Sequence, residues 1–135
     1  MLKLMIGVKG TGKTKALINM VNTAVDNSHG DVVCIEKGVK LRYDITYKAR
    51  LIDTEEYFIT DAQSLYGFVA GILASNHDVT DLFIDSALKI CQNDAAAFDI
   101  FVEEMAKLSD KVGINIVMTS SIPVEEATDT VNKYL

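Results

Sequence analysis

Several residue types are scarce in this chain, and each scarcity excludes a class of protein. The chain has only two cysteines and two histidines, too few for the clusters of Cys and His ligands that bind zinc. The cysteines, Cys34 and Cys91, lie far apart in the sequence. We therefore expect two buried free thiols in a reducing cytoplasm, and neither a zinc centre nor a disulfide framework.

Long hydrophobic runs are also missing. The longest apolar stretch, residues 65–74, is too short to cross a bilayer and contains a tyrosine and two glycines. The first residues already form a strand-like run and do not show the pattern of a signal peptide. We expect a cytoplasmic protein without a membrane span, folded as one domain over residues 1–135.

Positive charge is scarce as well. The formal net charge of −6 at pH 7 disfavours non-specific nucleic-acid binding by the whole surface. Both arginines and three lysines nonetheless fall between residues 37 and 50. We favour a solvated face for this segment. The alternative is a patch that contacts a nucleic-acid backbone or a partner's nucleotide through Lys40, Arg42, Lys48 and Arg50.

A glycine-rich loop near the start of the chain is its most informative feature. Residues 7–14 read Gly-Val-Lys-Gly-Thr-Gly-Lys-Thr and match the phosphate-binding pattern G-x-x-x-x-G-K-[ST] throughout. The glycines let the backbone turn tightly, so that successive N–H groups face one anionic group. An apolar run before the loop predicts a strand, and helical spacing after it predicts a helix over residues 13–27. Strand, loop and helix is the context that this motif requires.

The rest of the chain alternates between strand-like and helical segments. Three apolar runs predict buried strands: residues 31–36, 81–85 and 114–119. Helical spacing predicts two further helices, one beginning at Asp61 and one at Asn93 or Asp94 and ending at Gly113. The alternation favours an α/β fold with three layers, α/β/α, around a mainly parallel sheet.

Residues 39–53 have a different pattern, in which apolar and polar side chains alternate. A period of two predicts one or two half-exposed strands, and so a small antiparallel strand or hairpin beside the main sheet. A short helix in part of this stretch is the competing interpretation.

With its loop and its order of strands, the chain resembles the P-loop nucleoside triphosphatases, with residues 7–14 as the Walker A loop. Leu82–Asp85, an apolar strand that ends in an acid, resembles the Walker B segment. The resemblance implies ATP and Mg²⁺ as ligands, with Lys13 on the outer phosphates and with Thr14 and Asp85 as the Mg²⁺ residues. It also implies a set of nucleotide-binding residues: Gly7, Val8, Lys9, Gly10, Thr11, Gly12, Lys13, Thr14, Lys15 and Ser120.

Within this superfamily the chain resembles the RecA-like branch. Many P-loop enzymes with an added strand between the Walker A and Walker B strands carry a Glu directly after the Walker B Asp, but here that residue is Ser86. RecA-like members are instead similar at Glu36, where a carboxylate ends the strand that follows the first helix. The resemblance therefore implies that Glu36 orients the attacking water, so that Lys13 and Glu36 are the catalytic residues.

Two further positions bear on the nucleotide. Ser120 or Ser121 matches loosely the polar residue that senses the γ-phosphate at the end of the last core strand in this superfamily. The guanine-reading pattern [NT]-K-x-D is incomplete, because residues 132–135 read Asn-Lys-Tyr-Leu and lack its aspartate. This difference favours ATP over GTP.

Three functions fit these residues. We favour a Mg²⁺-dependent ATPase of small RecA-like type, working as a homo-oligomer or as a subunit of a larger complex. The alternative is a nucleotide-dependent binding or assembly module with little or no hydrolysis, which Ser86 and the shortage of arginine support. A small-molecule kinase is less favoured, because residues 94–113 contain no arginine from which to build a lid.

Overall fold

The computed structural model describes all 135 residues, and its five strands form one sheet. The strands are β1 (Leu2–Ile6), β2 (Asp31–Glu36), β3 (Arg50–Asp53), β4 (Val79–Ile84) and β5 (Asn115–Ser120). Their order across the sheet is β1-β5-β4-β2-β3, and every neighbouring pair is parallel. The predicted α/β class with a parallel sheet is therefore confirmed. All strand carboxyl ends lie at one edge of the sheet, and β5 separates β1 from β4.

Five α-helices connect or follow the strands. They are α1 (Lys13–Asn27), α2 (Ala62–Ser75), α3 (Ala87–Ile90), α4 (Ala95–Val112) and α5 (Asp129–Asn132). The predicted starts of α2 and α4 are correct: the Asp61 carboxylate accepts from the N–H of Ser64, and the Asp94 carboxylate accepts from the N–H of Ala97. None of these helices has both the length and the apolar character that crossing a bilayer requires.

Helices cover both faces of the sheet, as the three-layer prediction requires. On one face, Leu17 of α1 packs in a cluster with Val32 of β2. On the other face, the neighbouring strand residue Val33 joins a larger cluster with Leu65 of α2 and Phe101 of α4. Successive residues of β2 thus enter opposite cores, because a strand directs alternate side chains to opposite faces. Each such large apolar side chain contributes about 1.5–3 kcal/mol of burial free energy.

The predicted antiparallel strand or hairpin around residues 39–53 is not present. Residues 37–49 form consecutive turns, in which the N–H groups of Asp44 and Ile45 both donate to the carbonyl oxygen of Leu41 at 3.0 Å. Only β3 is extended in this region, and it pairs with β2 in the parallel sense. The element is therefore a turn-rich segment followed by a parallel edge strand.

The reason for this error lies in which apolar residues of the segment are buried. Only every fourth residue enters the core beside α1: Leu41, Ile45 and Ala49. The apolar residues between them remain on the surface, with Tyr43 and Tyr47 about nine-tenths exposed. A strand would place all of these residues on one face, whereas burial at every fourth position suits turns with bonds between residues three or four apart. Apolar residues recur at every second position of the sequence, but only those at every fourth position are buried.

Candidate phosphate-binding site

A cavity of about 590 Å³ lies at the carboxyl edge of the sheet. It is lined by the loop between β1 and α1 and by the residues at the ends of β4 and β5. The remaining lining comes from the turn after β2 and from the α3 region. Its polar and charged lining residues include Lys9, Lys13, Thr14, Lys15, Lys40, Asp85, Ser86, Lys89, Asn93, Thr119 and Ser121. The cavity thus joins segments from most of the length of the chain.

The loop owes its shape to three glycines. Gly7, Gly10 and Gly12 have φ angles of 152°, 87° and 87°, in a region that other residues rarely adopt. Gly12 is the N-cap of α1, and no side chain accepts a hydrogen bond from the first turn of this helix. The unpaired N–H groups and the helix dipole together favour an anion at this position.

Lys13 lies folded across the loop. Its Nζ donates to the carbonyl oxygens of Gly7 and Val8, both at 2.9 Å, and lies 3.4 Å from the Thr11 hydroxyl. All three partners are neutral, so the positive charge of Lys13 has no carboxylate to balance it. Phosphate oxygens are stronger acceptors than these carbonyl oxygens, and Lys13 is therefore available to an anionic ligand.

The structure brings Thr14 and Asp85 into contact although 71 positions separate them. Thr14 Oγ1 donates to Asp85 Oδ1 at 3.1 Å, and Thr119 Oγ1 donates to the same oxygen at 2.8 Å. Ser86 Oγ donates to Asp85 Oδ2 at 3.3 Å. A carboxylate surrounded by hydroxyl groups is the oxygen-only donor set that a hard cation such as Mg²⁺ prefers. The residues present therefore fit this ion.

Thr119 is a residue of the site that the sequence argument missed. Besides its bond to Asp85, its hydroxyl oxygen accepts from the N–H of Ser86 at 2.8 Å. The predicted Ser120 has a different environment: its hydroxyl is buried, accepts from the N–H of Leu88 and donates to a carbonyl oxygen. Ser120 does not line the cavity, whereas Thr119 and Ser121 do. Strand alternation was the available signal, because neighbours on β5 face opposite sides of the sheet.

Glu36 ends β2 at the same edge of the sheet, but its carboxylate does not line the cavity. It is only 3% exposed, and it accepts from the backbone N–H groups of Lys40 and Leu41 at 3.1 Å. Burial raises the pKa of Glu36; the two amides oppose this shift, and the charges of Asp85 and Asp53 add to it. The structure thus places the predicted water-orienting carboxylate in the turn that follows β2.

Lysine dominates the charge of the cavity. Five lysines line it, Lys9, Lys13, Lys15, Lys40 and Lys89, against the single carboxylate of Asp85. The one ion pair of the protein joins Lys133 to Glu103, so none of the five lysines is paired with an acid. Like charges gathered in a concave site repel one another and attract a polyanion.

The basic residues between Lys40 and Arg50 do not all line the same cavity. Lys40 lines the cavity of the candidate site, whereas Arg42 and Arg50 line a second cavity of about 340 Å³ next to β3. Lys48 is exposed and lines neither of them. Lys40 therefore lies at a different cavity from the two arginines.

Comparison with known proteins supports the fold. No family model matches the chain, and no curated protein matches its sequence. Among solved structures, the chain is similar to a KaiC-like protein from the hyperthermophilic archaeon Pyrococcus horikoshii OT3, with a TM-score of 0.67 and 16% sequence identity. The match covers 98% of this chain and 66% of the archaeal one. The protein therefore has the RecA-like α/β fold of a KaiC-like protein and spans about two thirds of that protein's length.

Proposed function

We propose that the protein binds ATP together with Mg²⁺ in the phosphate-binding cavity and is an ATPase of RecA-like type. The hydrogen bond of 3.1 Å from Thr14 to Asp85 is the observation that supports this best. It places the last residue of the phosphate-binding loop beside the acid at the end of β4. Thr14 and Asp85 would hold a cation there, and its charge would offset part of the charge of the phosphates.

Each part of the site has a role in this proposal. The loop amides and Lys13 bind the phosphates, while Thr14 and Asp85 hold Mg²⁺ when it is bound. Thr119 donates to Asp85 and so keeps that carboxylate oriented toward the cavity. The incomplete guanine-reading pattern at residues 132–135 favours adenine as the base.

A second candidate function is a nucleotide-dependent binding or assembly module with little or no turnover. Two observations favour it: no glutamate lines the cavity, and the residue after Asp85 is Ser86. The carboxylate of Glu36 is already engaged by two backbone amides. Hydrolysis requires a group that orients water toward the γ-phosphate, and Glu36 is the candidate for that group.

Calorimetric titration with ATP, ADP and GTP, each in Mg²⁺ and in EDTA, tests the binding proposal. We expect the wild type to bind Mg-ATP, and Lys13→Ala to lose about tenfold or more in affinity, because a charge-assisted hydrogen bond contributes about 1.5–3 kcal/mol. Asp85→Asn should bind ATP in Mg²⁺ only as well as the wild type binds it in EDTA. Lys111→Ala, an exposed substitution in the last turn of α4, is the control. A wild type that binds no nucleotide would exclude the proposal.

Turnover of the saturated protein then separates the two candidates. If Glu36 orients the water, Glu36→Gln should abolish hydrolysis while it retains ATP binding. Hydrolysis that is equally fast in both proteins would identify an ATPase in which Glu36 has another role. Negligible turnover in both would instead support the binding module.

A further inference from the structure

We propose that Lys40 contacts the terminal phosphate of a nucleotide bound to the same chain, and that Glu36 is the positioning residue that holds Lys40 in place. The inference rests on the proposed nucleotide binding and adds a residue to it. Lys40 supplies a cation from within the chain, whereas the two arginines, Arg42 and Arg50, do not line this cavity.

The strand order places Lys40 at the outer end of the phosphate chain. The loop that cradles the phosphates follows β1, and Asp85 follows β4, two strands away. β2 adjoins β4 on the side away from β1, and the turn after β2 brings Lys40 into the cavity lining. A phosphate chain that starts in the loop and reaches toward Asp85 therefore meets Lys40 at its far end.

The backbone of Lys40 is tethered on both sides, although its side chain is exposed. Glu36 accepts from the N–H groups of Lys40 and Leu41, and the Leu41 side chain is only 3% exposed, in the core beside α1. Earlier in the turn, the N–H of Gly38 donates to Asp53 Oδ1 at 2.8 Å. A cation on a fixed backbone loses less conformational freedom when a ligand binds, which favours affinity.

The charge of Lys40 is also unused in the protein. No carboxylate forms an ion pair with it, since the one ion pair lies between Lys133 and Glu103. The other four lysines of the cavity come from the loop, the start of α1 and α3. Lys40 is therefore the one lysine of the cavity that comes from the turn after β2, whereas Lys13 comes from the loop side.

Calorimetric titration of ATP and ADP in Mg²⁺ tests the assignment of Lys40. We expect Lys40→Ala to weaken ATP binding about tenfold and ADP binding less than about twofold, because the lost charge-assisted bond is to the phosphate that ADP lacks. Lys40→Arg should retain most of the ATP affinity. Lys48→Ala removes the same charge from the same segment outside the cavity and is the matched control.

Three outcomes of this titration would overturn the assignment of Lys40. They are an unchanged ATP affinity in Lys40→Ala, an equal loss for ATP and ADP, and an equal loss in Lys48→Ala. A wild type that binds neither nucleotide would remove the proposed function itself and the assignment with it, so the two failures are distinguishable.

The role of Glu36 is tested by its own variants in the same titration. Glu36→Gln keeps an acceptor oxygen for the two amides and should keep the ATP affinity within about twofold, whereas Glu36→Ala should reproduce the ATP-selective loss of Lys40→Ala. The double variant, Glu36→Ala with Lys40→Ala, should lose no more ATP affinity than Lys40→Ala alone, since Glu36 acts through Lys40. Additive losses would overturn the positioning role. If Glu36→Ala does not fold, Glu36→Asp, whose carboxylate is one methylene shorter, should show the same ATP-selective loss.

Discussion

Two buried carboxylates at one edge of the sheet have different surroundings and therefore suit different roles. Asp85 accepts from the hydroxyl groups of Thr14, Thr119 and Ser86, and it lines the cavity. Glu36 accepts from backbone amides of the turn after β2, and its pKa is raised chiefly by burial. The surroundings of Asp85 suit a cation, whereas those of Glu36 suit the positioning of a turn.

The raised pKa of Glu36 predicts a pH dependence of stability. The folded protein holds this proton more tightly than the unfolded chain, so the contribution to stability is full at low pH and is lost as the pH rises through the folded pKa. We expect the free energy of unfolding of the wild type to fall relative to that of Glu36→Gln as the pH rises above about 4, the ordinary pKa of a glutamate. Urea denaturation of both proteins across this range measures the difference, and a constant difference would contradict the prediction.

The ends of the long helices follow local chemistry, whereas the segment 37–49 follows tertiary packing. Asp61 and Asp94 begin α2 and α4, and Gly113, with a φ angle of 77°, ends α4. The turns of 37–49 are held by a distant residue: Asn22 of α1 donates to the carbonyl oxygen of Asp44 and accepts from the N–H of Thr46. Caps can be predicted from a few neighbours, but a segment held by Asn22 cannot.

Two identical substitutions in different elements should have opposite effects on stability. Gly113→Ala forces a Cβ into the left-handed region and should lower the free energy of unfolding by about 1 kcal/mol. Gly67→Ala, in the interior of α2 and facing open space, should raise it by about 0.5–1 kcal/mol, because the unfolded chain loses freedom. Denaturant unfolding of both variants measures the two values. Changes of the same sign would show that backbone conformation does not determine the effect of these substitutions on stability.

The whole molecule combines an acidic surface with a basic cavity. Its net charge is −6, yet five lysines and one carboxylate line the cavity of the candidate site. This arrangement follows from the parallel sheet, which brings the carboxyl ends of all strands to the edge where α1 begins. A positive site on a negative protein concentrates anions in one place instead of over the whole surface.

Inorganic tripolyphosphate should therefore stabilise the protein against heat. At about 100 times its dissociation constant, a ligand that binds only the folded state adds about 2.7 kcal/mol. We expect the rise in Tm to shrink as the ionic strength increases, and to be largely lost in Lys13→Ala but retained in Lys111→Ala. Thermal unfolding with tripolyphosphate, and with sodium chloride at equal ionic strength, provides the measurement. An equal rise in Lys13→Ala would place the anion elsewhere.

The sequence by itself determined the features that depend on close neighbours in the chain. The glycines of residues 7–14, the spacing of α1 and the apolar runs of β2, β4 and β5 act over a few residues, and the structure has each of these elements. The same local patterns predicted the α/β class and identified Asp85 at the end of its strand. These predictions hold because the spacing of apolar residues along the chain shows which faces of a helix or strand are buried.

Only the tertiary structure decided which side chains meet. The contact between Thr14 and Asp85 spans 71 positions, and it depends on the order of the strands and not on either segment alone. The same is true of Thr119, which faces Asp85, and of Glu36, which faces the turn that Leu41 anchors against α1. Packing of the two faces of the sheet is a property of the whole chain. The loop of residues 7–14 could therefore be predicted from its own sequence, whereas most of the residues that surround it in space could not.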